Sequence, residues 1–400
     1  MEVDRDLIDY NYIDYIKKQW SDNNLKYIVM GSCISFYNFH VDYASEKRHY
    51  DGQLFLEENK QGGIPVTFMN MDAARTKLSV PKIFRLNIRV CNKRILRPWM
   101  YTFCKQKKSL GASEAEKNMV KGWWSLCYDK FDNTLAEWLI KLHKNQIRDR
   151  DKFLVKAANN CLSDFWQSTI RELIEAIVHI HGCGLFHGSL NVYDNYVVVG
   201  DQLKLFNVGG RLESLRVQDQ HAMKIQDFQE FRDTLKILMQ TKITWPERDG
   251  FFKCFDEKFD SYEKYVEKLK NHPFLLTPLE RLKYITSIYY DDKFGVETKL
   301  NEDTNFSKFQ DWPKCRHKFE PLLLKVLETR TGKPYGDSPS ELLRFLRNTY
   351  IHYRQYSKKG EHILNVDTFF RTRWFNIVIH SKPNYTQGHM SSQPPPPAAN

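Results

Sequence analysis

The sequence predicts an α+β chain in which a sheet-rich region is followed by helices. Four hundred residues are more than one compact core usually holds, so two domains are expected. Residues 24 to about 130 alternate short apolar runs with turn residues, as in KYIVMGS and GGIPVTFMNMD, which is typical of a small mixed sheet. Helical periodicity then takes over and continues towards the carboxyl terminus.

One long helix and one hairpin can be located within this outline. The segment DFWQSTIRELIEAIVHIHGCG has apolar residues at spacings of three and four, which predicts a largely buried helix. Asp164 is placed to cap its start, and Gly182 and Gly184 follow its end. Two β-prone runs come next, NYVVVG and LKLFNVGG, and Asp201 and Gln202 between them predict the turn of a hairpin.

Composition limits the class of protein and its surroundings. The net charge of +11 favours polyanionic partners, and between Arg344 and Lys382 eight cations face only two acids. Eight cysteines form no C-x-x-C pair and no zinc pattern, which predicts a reduced, cytoplasmic protein without a metal site. Neither a signal peptide nor a run of eighteen apolar residues is found, so no membrane segment is expected. Four consecutive prolines predict a disordered tail at 385–400.

Four short motifs, in the right order, resemble those of protein kinases. HGSLNVYDN at 187–195 is similar to the catalytic loop H-R-D-L-x-x-x-x-N, and FNVGG at 206–210 stands in the place of D-F-G. VTFM at 66–69 resembles the V-A-I-K strand, and DNTLAEWL at 132–139 resembles the start of the helix after the hinge. The resemblance implies a bilobal protein-kinase-like fold over residues 24–275.

The groups that phosphoryl transfer needs are replaced in these motifs. Ser189 stands in place of the catalytic Asp and Gly188 in place of the Arg before it, while Asn207 replaces the metal-binding Asp and Met69 the strand Lys. No G-x-G-x-x-G loop is present, and IVMGSCISFY supplies one glycine. Asn195, a magnesium ligand in kinases, is kept, so Asn195 and Asn207 are the remnant of a nucleotide site. Binding of ATP or ADP is one alternative; a scaffold whose cleft is filled by bulky side chains is preferred.

The stretch SELLRFLRNTYIHYRQYS predicts one helix with two contrasting faces, capped by Ser338 or Ser340. The apolar stripe consists of Leu343, Leu346, Tyr350 and Tyr353, and the polar arc consists of Arg344, Arg347, Asn348 and His352. Asn348 and His352 are one turn apart and can converge on one small group. On spacing alone, such an arc is more often a solvated face than a site.

The polar arc nevertheless contains groups suited to cutting RNA. Such a site must deprotonate the 2′-hydroxyl, stabilise the phosphorane and protonate the departing 5′-oxygen. His352 can donate that proton, Arg347 can bind a phosphate oxygen in a bidentate fork, and Asn348 can bond the same group or orient the histidine. The base is the missing part.

Two further stretches resemble the inositol-requiring kinase/endoribonuclease of the unfolded protein response, and ribonuclease L. HPFLLTPLERLKYI at 272–285 is similar to the junction that ends the kinase domain of those proteins. Trp312, then LLRFLRNTYIHYR, then VDTFFRTRWF follow the order of their kinase-extension nuclease (KEN) domain. The resemblance covers roughly residues 24–383 and implies an all-α KEN ribonuclease domain at 276–384.

The same resemblance implies roles for four residues. It assigns Arg347 and Asn348 to transition-state stabilisation, His352 to general acid catalysis and Tyr335 to completing the site. One fewer residue separates Tyr335 from L-L-R than in the family pattern.

Two functions follow as hypotheses. The first is an endoribonuclease that needs no metal or other cofactor, has RNA as substrate, and uses an inactive kinase domain as the platform of a homo-dimer or oligomer. RNA processing or decay linked to stress signalling would be its setting. The alternative is a non-catalytic pseudoenzyme that hetero-dimerises with active, full-length relatives and regulates them.

Overall fold

The computed structural model describes residues 29–31, 36–41, 49–56, 64–71, 80–105, 122–144, 146, 162–240, 245–292, 309, 312–314, 319, 321–328, 334–356, 367 and 370. They belong to two compact units. The first runs to residue 270 apart from 244–251, and the second comprises 244–251 and the chain from 271 onward. The predicted tail at 385–400, and all of VDTFFRTRWF except Asp367 and Phe370, lie outside the described residues.

The first unit begins with a six-stranded sheet where the apolar runs predict one. Its strand pairs are all antiparallel, so the prediction of a mixed sheet is wrong. Its strands are β1 (Val29–Gly31), β2 (Phe36–Val41), β3 (His49–Leu56), β4 (Ile64–Asn70), β5 (Pro98–Lys105) and β6 (Gly122–Asp129). They lie in the order β1-β5-β6-β4-β3-β2. Gly31, the single glycine of IVMGSCISFY, therefore lies in an edge strand that pairs with β5. The link between β2 and β3, where a phosphate-binding loop would lie, contains no glycine in the sequence.

One short helix, α1 (Val80–Asn87), packs against this sheet. Its apolar residues Val80, Ile83 and Phe84 join a cluster of buried side chains from β4, β5 and β6. Helix α2 (Leu135–His143) follows the sheet, as the DNTLAEWL motif predicts. A capping box fixes its start, because Thr134 Oγ1 accepts from the Glu137 amide and Glu137 accepts from the Thr134 amide.

The long buried helix is confirmed as α3 (Asp164–Gly182). Its predicted cap is wrong by one position. Ser163 is the residue before the helix and Asp164 is its first helical residue, where a carboxylate still interacts favourably with the helix dipole. Gly184, just past the end, has a φ of +73°, a conformation that side chains disfavour.

The predicted hairpin is confirmed as β9 (Tyr196–Val199) and β10 (Gln202–Leu205), with a turn displaced by one residue. Gln202 pairs with Val199, so Gly200 and Asp201 form the turn rather than Asp201 and Gln202. A two-residue hairpin turn favours positive φ, and Gly200 supplies it with a φ of +57°. Strand β7 (Asn133–Thr134) pairs with β9 and completes a small sheet.

The chain passes directly from FNVGG to a long helix. Strand β11 (Gly210–Arg211) pairs with β8 (Leu185–Phe186), one 3-10 turn spans Leu212–Ser214, and α4 (Val217–Leu238) begins three residues later. Helices α5 (Pro246–Cys254) and α6 (Tyr262–Lys270) follow. A sheet with one helix, then a long helix, a polar loop and a hairpin is the kinase-like order that the motifs predict.

Every element described in the second unit after residue 270 is helical. A 3-10 turn at Pro273–Leu275 precedes α7 (Pro278–Asp292), α8 (Pro321–Glu328) and α9 (Pro339–Tyr356). Both α7 and α8 pack against α9. None of the described helices of the chain combines the length and apolar character needed to span a membrane.

A buried cation holds the second unit together around α9. Arg281 of α7 donates to both carboxylate oxygens of Asp367, at 2.6 and 2.5 Å, and to the carbonyls of Pro273 and Leu276. Tyr350 of α9 donates to the same carboxylate at 2.5 Å. Both charged side chains are 3% exposed, so they are paired where water cannot stabilise them.

Candidate functional site

Helix α9 has the two faces that its sequence predicts. Leu343, Leu346 and Tyr350 are at most 1% exposed and belong to the core of the second unit. The residues of the polar arc, Arg344, Arg347, Asn348 and His352, are all partly exposed. Ser338 caps the helix, because its Oγ accepts from the Glu341 amide. The Tyr353 side chain lies outside the described residues.

Asn348 joins two of the predicted site residues. Its amide nitrogen donates to the Tyr335 hydroxyl at 2.8 Å, and its amide oxygen accepts from an Arg347 guanidinium nitrogen at 2.9 Å. Tyr335 comes from the loop before the helix, so the shorter spacing to L-L-R does not separate it from the polar arc. The guanidinium, the amide and the phenol therefore form one continuous polar group.

The Tyr335 ring is held by the core on one side and by a cation on the other. It meets the rings of Trp312 and Phe345 edge-on, with centroids 6.2 and 5.4 Å away. The guanidinium of Arg344 lies over it at 4.5 Å. Burial raises the Tyr335 pKa, and the bond from Asn348 and the charge of Arg344 offset only part of that effect. The phenol therefore stays protonated near neutral pH, so it can donate a hydrogen bond but is not a base.

Arg344 is a positioning residue that sequence reasoning placed on the arc without a role. It donates to the Pro334 carbonyl at 2.9 Å and pairs with Glu341 at 2.7 Å. Glu341 in turn accepts from the backbone amide of Gly336 at 3.0 Å. These contacts fix the loop that carries Tyr335 to the first turns of α9.

His352 lies one helical turn beyond Asn348, a spacing at which Cβ atoms are about 5–6 Å apart. Its Nδ1 is 2.9 Å from Gln355 Oε1, so that atom carries the proton when the ring is neutral, and Nε2 is the other nitrogen that can exchange a proton. Three of the four predicted residues thus touch one another, and the fourth occupies the next turn of the same arc.

The kinase-like remnant has a different geometry, because its polar side chains bond to one another. Tyr128 donates to Asn207 Oδ1 at 3.2 Å, and Asn207 Nδ2 donates to Asn195 Oδ1 at 3.2 Å. Asn195 Nδ2 then donates to the Ser189 carbonyl at 2.9 Å. Asn207 has a φ of +64°, which asparagine tolerates better than most residues. Both asparagine amides are thus engaged in bonds within the protein.

Bulky apolar side chains fill the space beside these asparagines. Tyr128 and Phe206 are completely buried and meet edge-on with ring centroids 5.5 Å apart. The ring centroid of Phe131 lies 6.3 Å from that of Phe206. Met69, at the position of the strand Lys, is 4% exposed and belongs to the same cluster. Tyr128 and Phe131 could not be singled out from sequence, since they lie outside the recognisable motifs.

A buried carboxylate organises the loop that carries Ser189. Asp227 of α4 accepts from the backbone amides of His187 and Gly188, both at 2.7 Å, and from His181 Nε2 at 2.8 Å. Burial opposes its ionisation, but these bonds outweigh burial and hold the Asp227 pKa below its usual range. Burial also lowers the pKa of His187, whose Nε2 donates to the Phe206 carbonyl at 2.9 Å.

One amide side chain ties α1 to the FNVGG segment. Asn87 Oδ1 accepts from the Val208 amide at 3.0 Å, and Asn87 Nδ2 donates to the Val208 carbonyl at 3.4 Å and to Ile83 at 2.8 Å. Asn87 is fully buried. The helix is therefore bonded directly to the segment that stands in place of D-F-G.

Metal ligands are not clustered in the part of the chain that the structure describes. No three of its His, Cys, Asp and Glu side chains come close enough together to hold an ion.

Comparison with known proteins finds distant structural likeness alone. No family model and no curated protein matches the sequence. The Neurospora crassa PAN3 pseudokinase is 13% identical, covers 85% of this chain and 83% of its own, and has a TM-score of 0.36. A mutant of that pseudokinase is 13% identical, with coverages of 86% and 84% and a TM-score of 0.38. TM-scores this low do not establish a shared fold, so the kinase-like organisation rests on the strand order and the cleft contacts above.

Proposed function

We propose that this chain is a metal-independent endoribonuclease of the KEN type, with an inactive kinase-like unit as its dimerisation platform. The observation that carries the proposal is the group formed by Tyr335 of the preceding loop with Asn348 and Arg347 on the partly exposed arc of α9, one turn from His352. A guanidinium, an amide and a phenol can bind a phosphodiester, and an imidazole can protonate its leaving group, with solvent supplying the base.

In the proposed reaction, the 2′-hydroxyl oxygen attacks phosphorus and the bond from phosphorus to the 5′-oxygen breaks. Arg347 binds a non-bridging oxygen in a fork, and the protonated Tyr335 donates a hydrogen bond to the same phosphate. His352 as imidazolium gives its proton to the departing 5′-oxygen, and solvent hydroxide takes the proton of the 2′-hydroxyl. The products are a 2′,3′-cyclic phosphate and a free 5′-hydroxyl.

The kinase-like unit serves, in this proposal, as a scaffold rather than as a phosphotransferase. Its remaining amides, on Asn195 and Asn207, are neutral and bonded to each other, and carboxylate ligands are what magnesium prefers. Tyr128 and Phe206 fill the adjacent space. These residues fit a magnesium nucleotide poorly, so the proposed reaction uses neither ATP nor ADP.

The test is cleavage of a stem-loop RNA by purified protein in EDTA. We expect cleavage that leaves a 2′,3′-cyclic phosphate, rises more steeply than first order with protein concentration, and is lost in His352→Ala. His221→Ala is the matched control, because His221 is an exposed histidine of the first unit. No cleavage, or equal cleavage by both variants, would remove the proposal.

A second candidate function is supported by the kinase-like remnant. The Tyr128–Asn207–Asn195 chain of bonds is what a regulatory pseudoenzyme would retain. Such a protein would hetero-dimerise with an active relative and alter its cleavage. Co-assembly with that relative, together with no cleavage by the chain alone, would favour this function over the first.

A further inference from the structure

A second basic stretch of the sequence lies in the first unit. Between Asp72 and Glu114 there are eleven lysines and arginines and no aspartate or glutamate. The whole chain has 49 acids in 400 residues, so these 41 positions would hold about five at the average frequency. The positive charge of this stretch equals the net charge of the entire protein, +11.

The structure places three of these cations on or just after α1. Lys82 and Arg85 are three residues apart on the helix, which puts them within about 60° of each other at 100° per residue, and Arg89 lies in the turn two residues past the helix. Lys82 and Arg89 are exposed and Arg85 is partly exposed. The opposite side of the helix is buried through Val80, Ile83, Phe84, Leu86 and Asn87. We call Lys82, Arg85 and Arg89 the outer basic row.

Two members of the outer basic row, Lys82 and Arg89, differ in their ion pairs from the cations that follow them. Lys93 and Arg94, farther along the same stretch, both pair with Glu172. Among the described residues, no carboxylate forms an ion pair with Lys82 or Arg89. Lys82 and Arg85, three positions apart on α1, repel each other, and a bound anion would offset that repulsion.

We infer that the outer basic row binds the phosphate backbone of RNA. From Lys82 to Arg89 the row extends for about 10 Å, which is long enough to contact more than one phosphate of a strand. Arginine suits a forked contact with phosphate and lysine a point contact. A membrane surface is disfavoured, because a helix that lies on lipid needs a free apolar face and that of α1 is buried in the core.

This inference rests on the proposed function for the choice of RNA, and its test does not depend on cleavage. The protein carries His352→Ala so that the probe, a fluorescent single-stranded RNA, stays intact during anisotropy titrations. We expect Lys82→Ala/Arg85→Ala/Arg89→Ala to raise the Kd for this RNA about tenfold at about 0.1 M salt. The slope of log K against log salt should fall by about 2, because three fewer phosphates are neutralised.

A matched control removes three exposed lysines from elsewhere in the first unit. Lys253→Ala/Lys258→Ala/Lys264→Ala lowers the net charge equally and should leave the salt slope unchanged. The double variant Lys82→Gln/Arg89→Gln retains Arg85 and should give a slope reduced by about 1.4, which covers the case in which the triple variant folds poorly.

Three results would overturn the inference. They are equal weakening by the control, unchanged RNA binding in both row variants, and loss of binding to anionic phosphatidylserine vesicles while RNA binding persists. The two proposals fail separately. If RNA binding depends on the outer basic row but the protein never cuts RNA, the binding inference stands and the nuclease proposal is removed. If the protein cuts RNA but binds it equally well without the row, the nuclease proposal stands and the binding inference is removed.

Discussion

The Asn348 amide donates a 2.8 Å hydrogen bond to the phenolic oxygen of Tyr335, thirteen residues earlier in the chain. This contact joins the loop before α9 to the polar arc of the helix. Arg344 holds the same loop through the Pro334 carbonyl and through Glu341, which accepts from the Gly336 amide. Residues of the arc that look like a solvated face in sequence thereby form a connected group.

We predict that Tyr335→Phe and Asn348→Ala each lower the rate of RNA cleavage by about 100-fold, because Tyr335 donates to the phosphate and Asn348 holds the Tyr335 hydroxyl in place. The double variant should be little slower than either single variant, since both act through one contact. Initial rates at fixed protein and RNA concentrations measure this. A double variant whose loss of rate is the product of the two single losses would contradict a shared catalytic role. So would single variants whose loss of rate is accompanied by a lower unfolding midpoint in urea.

Magnesium ATP at 1 mM should leave the unfolding midpoint of the protein unchanged. A site with a Kd of 10 µM would add about 2.7 kcal/mol under those conditions, which a thermal shift assay detects easily. The neutral, mutually bonded Asn195 and Asn207 are the reason for expecting none. A saturable shift that disappears in Asn195→Ala would show that the cleft is a nucleotide site after all.

Asn87→Ala should destabilise the first unit by about 2–3 kcal/mol, because it leaves the buried amide and carbonyl of Val208 without partners. Hydrogen exchange at the Val208 amide should speed up in parallel. Asn191→Ala, at an exposed asparagine of the same unit, is the control and should change the free energy of unfolding by less than about 0.5 kcal/mol. Equal effects of the two variants would mean that Asn87 contributes little.

Asp367→Ala should destabilise the second unit by about 3–5 kcal/mol, since it strands the Arg281 guanidinium in the core. Replacing both partners, as Arg281→Met/Asp367→Leu, should recover part of that loss. Urea unfolding compares these variants with Asp219→Ala, which removes an exposed pair with Arg216 and should cost less than about 1 kcal/mol. If the double variant is as unstable as Asp367→Ala, the unpaired charge of Arg281 is not the cause of the destabilisation.

Acid should weaken the first unit in two stages, because His187 and Asp227 both have lowered pKa values in the folded state. The unfolded chain binds a proton at His187 below about pH 6.5 and at Asp227 below about pH 3.9, while the folded chain resists both. Stability is therefore complete above pH 6.5 and declines as pH falls, by at most about 1.4 kcal/mol per pH unit for each group. Urea midpoints at several pH values measure the decline.

The upper stage can be assigned with His187→Gln, which keeps a neutral donor and removes the titrating ring. It should flatten the decline just below pH 6.5, whereas His221→Gln, at an exposed position, should not. An unchanged decline in His187→Gln would place its origin at another group.

Periodic features of the molecule could be predicted from sequence, and contacts between distant residues could not. The two faces of α9 and the burial of α3 follow from apolar residues that recur about every 3.6 positions, a pattern that is visible in these two segments of the sequence. The bond from Asn87 to Val208 spans 121 positions and leaves no periodic trace. The same holds for Arg281 and Asp367, 86 positions apart, although Arg281 lies within a recognisable junction.

Errors of one residue have local causes. The start of α3 at Asp164, after Ser163, depends on backbone angles that both residues can adopt. The same is true of the point at which β9 gives way to the turn at Gly200. The catalytic candidates were identified by resemblance. Their mutual contacts required the loop geometry around Tyr335, which the spacing of residues alone leaves open.

The short connection from FNVGG to α4 limits how the proposed nuclease could be regulated. Kinases are commonly switched by phosphate added to a long loop at this point, which folds differently once modified. Here β11, a single turn and α4 occupy that stretch, so no such loop is available to reorganise. In the proposed function, the activating signal would therefore be the assembly of several copies, a stimulus that needs no covalent mark.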